Sequence, residues 1–182
     1  MDDLSLYLLD IVQNAFKANA DALTILINEN QQNNSLSMII KDNGEGMSTE
    51  ESEAALSPFY TTRTTRKVGL GLPFLKMAAN LSSGDLSIVS EKGVGTTVTV
   101  WFTKNHINTP PLGNIAETIY TIMIHPKLKD LKYIHTIDDQ SFTLDYGTII
   151  NILDGVPLTD LQVMTYLKSY INDNVDYLRR QL

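Results

Sequence analysis

Three glycine-containing breaks divide the first hundred residues of this chain and limit how those residues can fold. The breaks read DNGEGM (42–47), GLG (69–71) and KGVG (92–95), and such clusters of Gly and Asn interrupt helices and strands. The spacing of apolar residues between them predicts a helix, two strands, a short helix, a loop, a helix and a hairpin. The predicted helices are 4–19, a short helix that starts at Ser48 or Thr49, and 69–82. The predicted strands are 23–28, 36–41, 85–91 and 96–102, and the predicted loop is 57–68. This order predicts an α+β fold, an α/β sandwich with helices on one face of a mixed sheet.

The stretch NTPPLG (108–113) holds two prolines and a glycine and is the strongest boundary signal in the chain. We therefore predict two domains, 1–106 and 107–182, the second being a small α/β module of unassigned role. Its pattern predicts a helix at about 114–124 and a hairpin with strands 131–136 and 140–145. Two more helices are predicted, at about 147–153 and at 159–180. We expect the apolar stripe of the last helix to pack on a small sheet formed by that hairpin alone. A docking surface for a partner or a dimer mate is the alternative.

Composition excludes several classes of protein. The 182 residues include no cysteine, which excludes disulfides, thiolate zinc sites, iron–sulfur clusters and cysteine nucleophiles. The net charge of −7 counts against a nucleic-acid partner, because backbone binding depends on clustered Lys and Arg. No apolar run approaches the roughly 20 residues of a membrane helix, and the acidic start MDDLSLYLLDI is unlike a secretory signal. We expect a cytoplasmic protein with no membrane partner.

Three polar residues share one face of the first predicted helix, at spacings of i, i+4 and i+7: Asp10, Asn14 and Lys17. The Asn14 amide oxygen could ligate a hard cation such as Mg²⁺, and the Lys17 ammonium could meet a phosphate. The Asp10 carboxylate could accept a proton from an attacking water. For this helix alone, a solvated polar face is the commoner explanation.

The first glycine motif follows the second predicted strand. Asp42 can accept a hydrogen bond from an exocyclic amine, a contact that discriminates strongly in a buried pocket. Gly44 and Gly46 lack a Cβ and could let the backbone approach a flat ring, against which Met47 could pack. A plain Asp-Asn-Gly turn is the alternative.

Two further motifs complete the series. Gly69, Leu70 and Gly71 open a predicted helix, where backbone N–H groups can bind an anion. A flexible helix entry is the alternative, and a lone Gly-x-Gly is a weak signal. The hairpin Gly93 to Thr97 follows, and its plain alternative is a turn with a strand residue at Thr96.

Taken in this order, the four motifs resemble the GHKL family, which includes gyrase B, the heat-shock chaperone ATPases, bacterial histidine kinases and MutL. These proteins share an ATP-binding domain called the Bergerat fold. The matching segments are LLDIVQNAFKANA, DNGEGM, KVGLGLPF and GVGTTVTV, within roughly residues 4–103. The stretch SPFYTTR also resembles the entry of the histidine-kinase lid.

The resemblance implies ATP and Mg²⁺ as ligands. By this likeness Asn14 would coordinate Mg²⁺, Lys17 would contact phosphate and Asp42 would bind the adenine amine. The residues implied to complete the adenine site are Gly44, Gly46 and Thr96, with Met47 against the ring. Those implied near the phosphates are Gly69, Leu70 and Gly71, and the lid residues Arg63, Arg66 and Lys67 are candidates for the γ-phosphate. A solvated basic loop is the alternative for the lid residues.

Asp10 departs from the family pattern. Members that resemble MutL, the chaperones or the anti-sigma serine kinases carry glutamate there as the hydrolytic base, and histidine kinases usually carry asparagine. The aspartate is shorter than glutamate by one methylene, which counts against efficient hydrolysis. The lysine at 17 is kinase-like, so the motif stands between both branches.

Two classes of function remain. The first is an enzyme, either a slow ATPase or a kinase that phosphorylates a protein partner in trans; the second is an ATP-sensing interaction module without turnover. An orthodox histidine kinase is disfavoured, because no helical hairpin precedes the first motif. We interpret His106, His125 and His135 as surface or packing residues, and none has a metal-ligand spacing. A homodimer is left open.

Overall fold

The computed structural model describes residues 3–57 and 71–180. The helices in these ranges are α1 Leu4–Lys17, α2 Thr49–Ala55, α3 Gly71–Leu81, α4 Ile115–Met123, α5 Tyr146–Leu153 and α6 Leu161–Arg180. The strands are β1 Ala22–Asn30, β2 Ser35–Asp42, β3 Asp85–Glu91, β4 Gly95–Thr103, β5 Asp130–Ile137 and β6 Gln140–Asp145. The predicted elements agree with these bounds to within a few residues. The predicted loop 57–68 lies almost entirely outside the described residues.

The six strands form one mixed sheet in the order β3-β4-β2-β1-β5-β6. The neighbours pair antiparallel, except for β1 and β5, which run parallel. Alternate side chains are buried along several of the strands, as the pattern of β1 shows for Leu23, Ile25 and Ile27. These side chains share one core with α1, α3, α4 and α6. The predicted α+β class, with helices on one face of a mixed sheet, is confirmed.

The hairpin of residues 107–182 does not form a small sheet of its own, and that prediction is wrong. Strand β5 pairs with β1 from Ala22 opposite Asp130 to Glu29 opposite Ile137, so β5 and β6 extend the main sheet. The stripe on α6 is buried from Leu167 onwards, against α4 and these two strands. Alternation along β5 fixes which face is buried but does not identify the partner strand. The division of the chain at residue 106 stays a prediction, and a continuous sheet crosses it.

Helix α1 positions the polar face noted in the sequence. Asp3 caps its start by accepting a hydrogen bond from the Leu6 N–H at 3.0 Å. An apolar stripe that includes Leu8 and Val12 is buried in the core, which leaves Asn14 half-buried on the flank of the helix and Lys17 exposed to solvent. The helix therefore fixes the direction of its polar side chains through its packing.

Candidate functional site

A cavity of about 500 Å³ lies between α1, α2 and the adjoining ends of β2 and β4, and we call it the α1–α2 cavity. Its wall is mostly apolar and includes Ile11, Ala15, Ala18, Ala54, Ala55, Leu72 and Val98. Its polar lining is formed by Asn14, Asp42, Glu51 and Thr96, with Gly46 and Met47 beside them. The structure therefore brings five of the predicted site residues to one cavity: Asn14, Asp42, Gly46, Met47 and Thr96.

Asp42 ends β2 with one carboxylate oxygen bound and the other available. Oδ1 accepts hydrogen bonds from the backbone N–H groups of Gly44 at 2.8 Å and Thr96 at 3.3 Å. Within the described part of the chain, no hydrogen bond reaches Oδ2. The side chain is nearly buried, and burial raises the pKa of Asp42 above its ordinary value, while the two N–H groups offset part of that rise. Oδ2 can accept a hydrogen bond from a ligand in the cavity.

The glycines of residues 42–47, which we call the glycine loop, allow backbone to pack closely on backbone. A Cβ on Gly44 would lie 2.7 Å from the Ala18 carbonyl oxygen. Gly46 has a φ of +65°, and a Cβ there would collide with the carbonyl oxygen of Glu91. Gly44 thus serves the contact with α1 and does not line the cavity, whereas Gly46 does.

A serine that the sequence motifs do not identify holds the glycine loop to the β3–β4 hairpin. The Ser90 hydroxyl accepts a hydrogen bond from the Met47 N–H at 2.8 Å and lies 2.8 Å from Thr96 Oγ1. It lies within β3, where nothing in the alternating pattern distinguishes it. Its position follows from the pairing of β3 with β4, which sets Ser90 opposite Thr96.

Helix α2 forms one wall of the cavity through Glu51. A capping box starts this helix, with the Ser48 hydroxyl bound to the Glu51 N–H and the Glu51 carboxylate bound to the Ser48 N–H. Glu51 also lies 3.3 Å from Lys92 of the β3–β4 turn. The Ser-x-x-Glu spacing was the available sequence signal for this cap, but it does not show that α2 faces a cavity.

The polar face of α1 divides into two parts. Asn14 lines the cavity and its Oδ1 lies 3.5 Å from Lys17 Nζ, while Lys17 is exposed beside it. Asp10 lies one turn earlier against the start of α3, where a Cβ on Gly71 would collide with its Oδ2. That oxygen is buried and has no hydrogen-bond partner among the described residues. The structure therefore brings Asp10 and Gly71 together beside the cavity.

Several predicted residues lie outside the described residues. They are Arg63, Arg66, Lys67, Gly69 and Leu70. For these residues the expected roles stay predictions.

The histidines lie away from the cavity wall. His125 stacks on Phe16, with 3.7 Å between ring centroids. His135 is buried between the Tyr133 hydroxyl at 2.8 Å and Glu29 at 3.0 Å. Over residues 3–57 and 71–180, no three His, Cys, Asp or Glu side chains cluster as metal ligands, and no helix is long and apolar enough to cross a bilayer.

Comparisons with known proteins match the first part of the chain to an ATPase family. Residues 1–106 match the family described as histidine kinase-, DNA gyrase B-, and HSP90-like ATPase. The sensor histidine kinase ZraS of Escherichia coli (strain K12) is 26% identical over 112 residues, which cover 62% of this chain and 24% of that protein. The sensor histidine kinase YvrG of Bacillus subtilis (strain 168) is 32% identical over 99 residues, covering 52% and 17%.

A longer but weaker match extends beyond residue 106. The CAI-1 autoinducer sensor kinase/phosphatase CqsS of Vibrio cholerae is 26% identical over 146 residues, covering 77% of this chain and 21% of that protein. The chain thus spans about a quarter or less of the length of these kinases. Among solved structures, the N-terminal domain of a DNA repair protein superposes with a TM-score of 0.54 at 18% identity, covering 80% of this chain and 53% of that one. At this identity the likeness concerns the fold alone.

Proposed function

The chain belongs to the histidine kinase-, DNA gyrase B- and HSP90-like ATPase family through residues 1–106, and from this premise we propose that it binds Mg²⁺ and ATP in the α1–α2 cavity. We propose further that it turns ATP over, either as a slow ATPase or as a kinase acting on a separate protein. The observation that carries the proposal is Asp42, whose Oδ1 is held by two backbone N–H groups while its Oδ2 stays available.

The cavity suits a purine. Its volume of about 500 Å³ lies in the range of small-molecule sites, and its walls are mostly apolar. An adenine ring between Ile11 and Val98 would lose water contact, and its amine would donate to Asp42 Oδ2. A ligand without such a donor would leave the buried carboxylate unpaired and would therefore bind much more weakly.

The phosphates would extend along the polar face of α1. The Asn14 amide oxygen, which lines the cavity, would be a protein ligand of Mg²⁺, and Lys17 beside it would meet a phosphate as a point charge. When bound, Mg²⁺ neutralises phosphate charge and orients the triphosphate. Since Mg²⁺ usually keeps several waters and shares phosphate oxygens, one amide ligand from the protein is compatible with its chemistry.

Asp10 is our candidate general base. Its buried Oδ2 has no partner among the described residues, so it can accept a proton. In hydrolysis, a water oxygen would bond to the γ-phosphorus while the bond to the β–γ bridging oxygen breaks, releasing ADP. The proton of that water would pass to Asp10 and then to solvent or phosphate.

An ATP-sensing module without turnover is the second candidate. One observation favours it: Asp10 packs against Gly71 beside the cavity and does not form part of its wall. In that case binding of ATP would change the protein, and the γ-phosphate would stay on the nucleotide.

Labelling the γ-phosphate tests both candidates. The pure protein, Asp10→Asn, Asp42→Asn and the control Asp173→Asn, whose side chain is exposed on α6, are incubated with Mg²⁺ and γ-labelled ATP. We expect free labelled phosphate from the parent and the control, and none from Asp10→Asn, which still binds ATP. Label that stays on ATP while binding is intact would exclude the slow ATPase and leave two candidates, the sensing module and a kinase that lacks its protein substrate. Absence of ATP binding by the parent would overturn the proposed function altogether.

A further inference from the structure

The connection between α4 and β5, residues 124–129, contacts the C-terminal end of α1. The His125 ring stacks on Phe16, as described above, and Lys127 Nζ donates hydrogen bonds to the Phe16 carbonyl at 2.7 Å and to Asn19 Oδ1 at 3.1 Å. These residues lie beyond residue 106, where the family match ends. A segment outside the matched region thus contacts the helix that carries Asn14.

Lys127 caps the end of that helix. Asn19 has a φ of +61°, and the N–H groups of Asn19 and Ala20 bond back to Phe16 at 3.2 Å and Ala15 at 3.0 Å, which is a Schellman ending. The ammonium adds a third donor at the same carbonyls, where the helix dipole favours positive charge. Lys127 therefore fixes both the last turn of α1 and the side-chain amide that follows it.

The Asn19 side chain connects Lys127 to the glycine loop by hydrogen bonds at both ends of its amide. Its Nδ2 donates to Glu45 Oε1 at 2.7 Å while its Oδ1 accepts from Lys127. A cation and a carboxylate on opposite ends of one amide polarise it, which strengthens both hydrogen bonds. The Glu45 backbone is held as well, because its N–H donates to the Ala18 carbonyl at 2.8 Å and its carbonyl accepts from the Gly93 N–H at 2.8 Å.

A second tie runs in parallel through Lys129. Its Nζ lies 2.6 Å from Asp21 Oδ2, and Asp21 Oδ1 accepts from Asn43 Nδ2 at 2.8 Å. The Asn43 side chain in turn accepts from the backbone N–H groups of Asp21 and Ala22, both at 3.0 Å. Asn43 directly follows Asp42, so both ties end in the glycine loop.

We propose that Lys127 is a positioning residue of the nucleotide site, which holds the glycine loop from outside so that Asp42 Oδ2 faces the purine. The proposal rests on the proposed function, because it concerns the same cavity. Lys127 is not among the residues that line the α1–α2 cavity, so it would act through Asn19 and Glu45. Residues after 106 then contribute to nucleotide affinity, although the family match does not include them.

Calorimetric titration of the full chain with Mg-ATP and with Mg-ADP tests this role. Lys127→Met keeps most of the aliphatic stem and removes the ammonium, and we expect it to weaken both nucleotides equally, by about three- to tenfold. The weakening is equal because the loop holds the purine, which the two ligands share. Lys127→Arg keeps the charge and should stay within about twofold of the parent. The matched control is Lys132→Met, an exposed lysine of β5.

A double-mutant cycle with Glu45→Ala, which removes the acceptor of the Asn19 amide, separates positioning from general stability. If Lys127 acts through Glu45, the effect of Lys127→Met on affinity shrinks when Glu45 is already changed. Additive effects, or a Lys127→Met protein that melts at a lower temperature but binds both nucleotides as the parent does, would overturn the positioning role. If the parent itself binds no ATP, the proposed function fails. If the parent binds ATP and the Lys127→Met variant binds it equally well, only the positioning role of Lys127 fails.

Discussion

Burial of Asp42 has a cost for folding, and the same residue has a proposed role in binding ATP. Burial raises its pKa above the value of 3.8 that it has when exposed, while hydrogen bonds from Gly44 and Thr96 offset part of the rise. A carboxyl whose folded-state pKa is raised costs stability wherever it is ionised, so the apo protein gains stability as the pH falls through that raised pKa. Under the proposed function, the same ionised form would accept the adenine amine. Affinity for ATP and the contribution of Asp42 to the stability of the apo protein should therefore respond to acid in opposite directions.

Asp42→Asn tests this opposition directly. The amide oxygen can keep the two backbone hydrogen bonds of Oδ1, while an NH2 group replaces Oδ2 and repels the adenine amine. We expect ATP affinity to fall at least about a hundredfold, with a melting temperature at neutral pH equal to or above that of the parent. Calorimetric titration and thermal melting measure the two quantities. A variant that binds ATP as the parent does would show that Asp42 does not face the purine.

Residues of the site could be predicted from the sequence where they stand in a short motif. Residues that reach the site only through tertiary packing could not be predicted. Asn14 and Asp42 stand in segments whose order and spacing resemble a family, so their meeting at one cavity could be inferred. Ser90 and Lys127 carry no such signal, because their contacts with the glycine loop arise from strand pairing and from a distant connection. The helix pattern and the family resemblance predict Asp10 as a base, a role that stays a prediction, but they do not predict its close packing against Gly71.

At the scale of elements, the β3–β4 turn supports the glycine loop through Gly95. Both Gly93 and Gly95 have positive φ, at +79° and +135°, but their surroundings differ. A Cβ on Gly93 would meet nothing within 4 Å, while one on Gly95 would collide with the Asp42 carbonyl oxygen. The two glycines therefore separate the cost of backbone strain from the cost of a steric clash with the site.

Gly93→Ala and Gly95→Ala form a matched pair. We expect Gly93→Ala to cost about 1 kcal/mol of unfolding free energy, from backbone strain alone, and to leave ATP affinity unchanged. Gly95→Ala adds displacement of the Asp42 backbone, so it should cost about 3 kcal/mol or more and weaken ATP binding as well. Urea denaturation and nucleotide titration check both variants. Equal losses in the pair would contradict the contact between the turn and Asp42.

The buried carboxylate of Glu29 joins parts of the chain that precede residue 106 to parts that follow it. Glu29 of β1 lies 3.0 Å from His135 Nε2 of β5 and 2.9 Å from Lys104 Nζ, and Arg179 of α6 lies 3.8 Å away. Burial alone raises the pKa of Glu29, but the hydrogen bonds from His135 and Lys104 outweigh it and lower that pKa to about 2. The carboxylate of Glu29 thus links β1 to β5 and α6.

This pKa sets a pH window for stability. A carboxyl with a lowered folded-state pKa contributes stability above its unfolded pKa of about 4.5, and that contribution is lost as the pH falls from there to about 2. We expect Glu29→Gln to cost about 1–3 kcal/mol at pH 7 and to remove part of the acid-dependent loss. Urea denaturation at pH 7, 4.5 and 3 measures it, with the exposed Glu53→Gln as control. If the two variants unfold alike at every pH, Glu29 does not hold these elements together.

On the scale of the whole molecule, the continuous sheet is the feature that sequence reasoning missed. The predicted strand bounds were close, because alternation and turn residues are local signals. The pairing of β5 with β1 could not be predicted from the sequence, because parallel neighbours are joined by a long connection and no local signal links them. The alternation of β5 fits the main sheet as well as a separate small sheet. The family resemblance ended near residue 103 and gave no partner for β5 either. Fold class was therefore predictable from local order, and the joining of the two parts was not.

The continuous sheet predicts that the chain unfolds as one cooperative unit. Trp101 of β4 is the only tryptophan, so its fluorescence reports on the family-matched part, while hydrogen exchange of the α6 amides reports on the part beyond residue 106. We expect both probes to give the same unfolding free energy within error. ATP at a hundredfold excess over its Kd should raise both values by the same amount, about 2.7 kcal/mol, although α6 does not touch the cavity. If the α6 amides exchange at a lower free energy that ATP leaves unchanged, the two parts are separate domains, and the coupling of Lys127 to the site would then be confined to the α4–β5 connection.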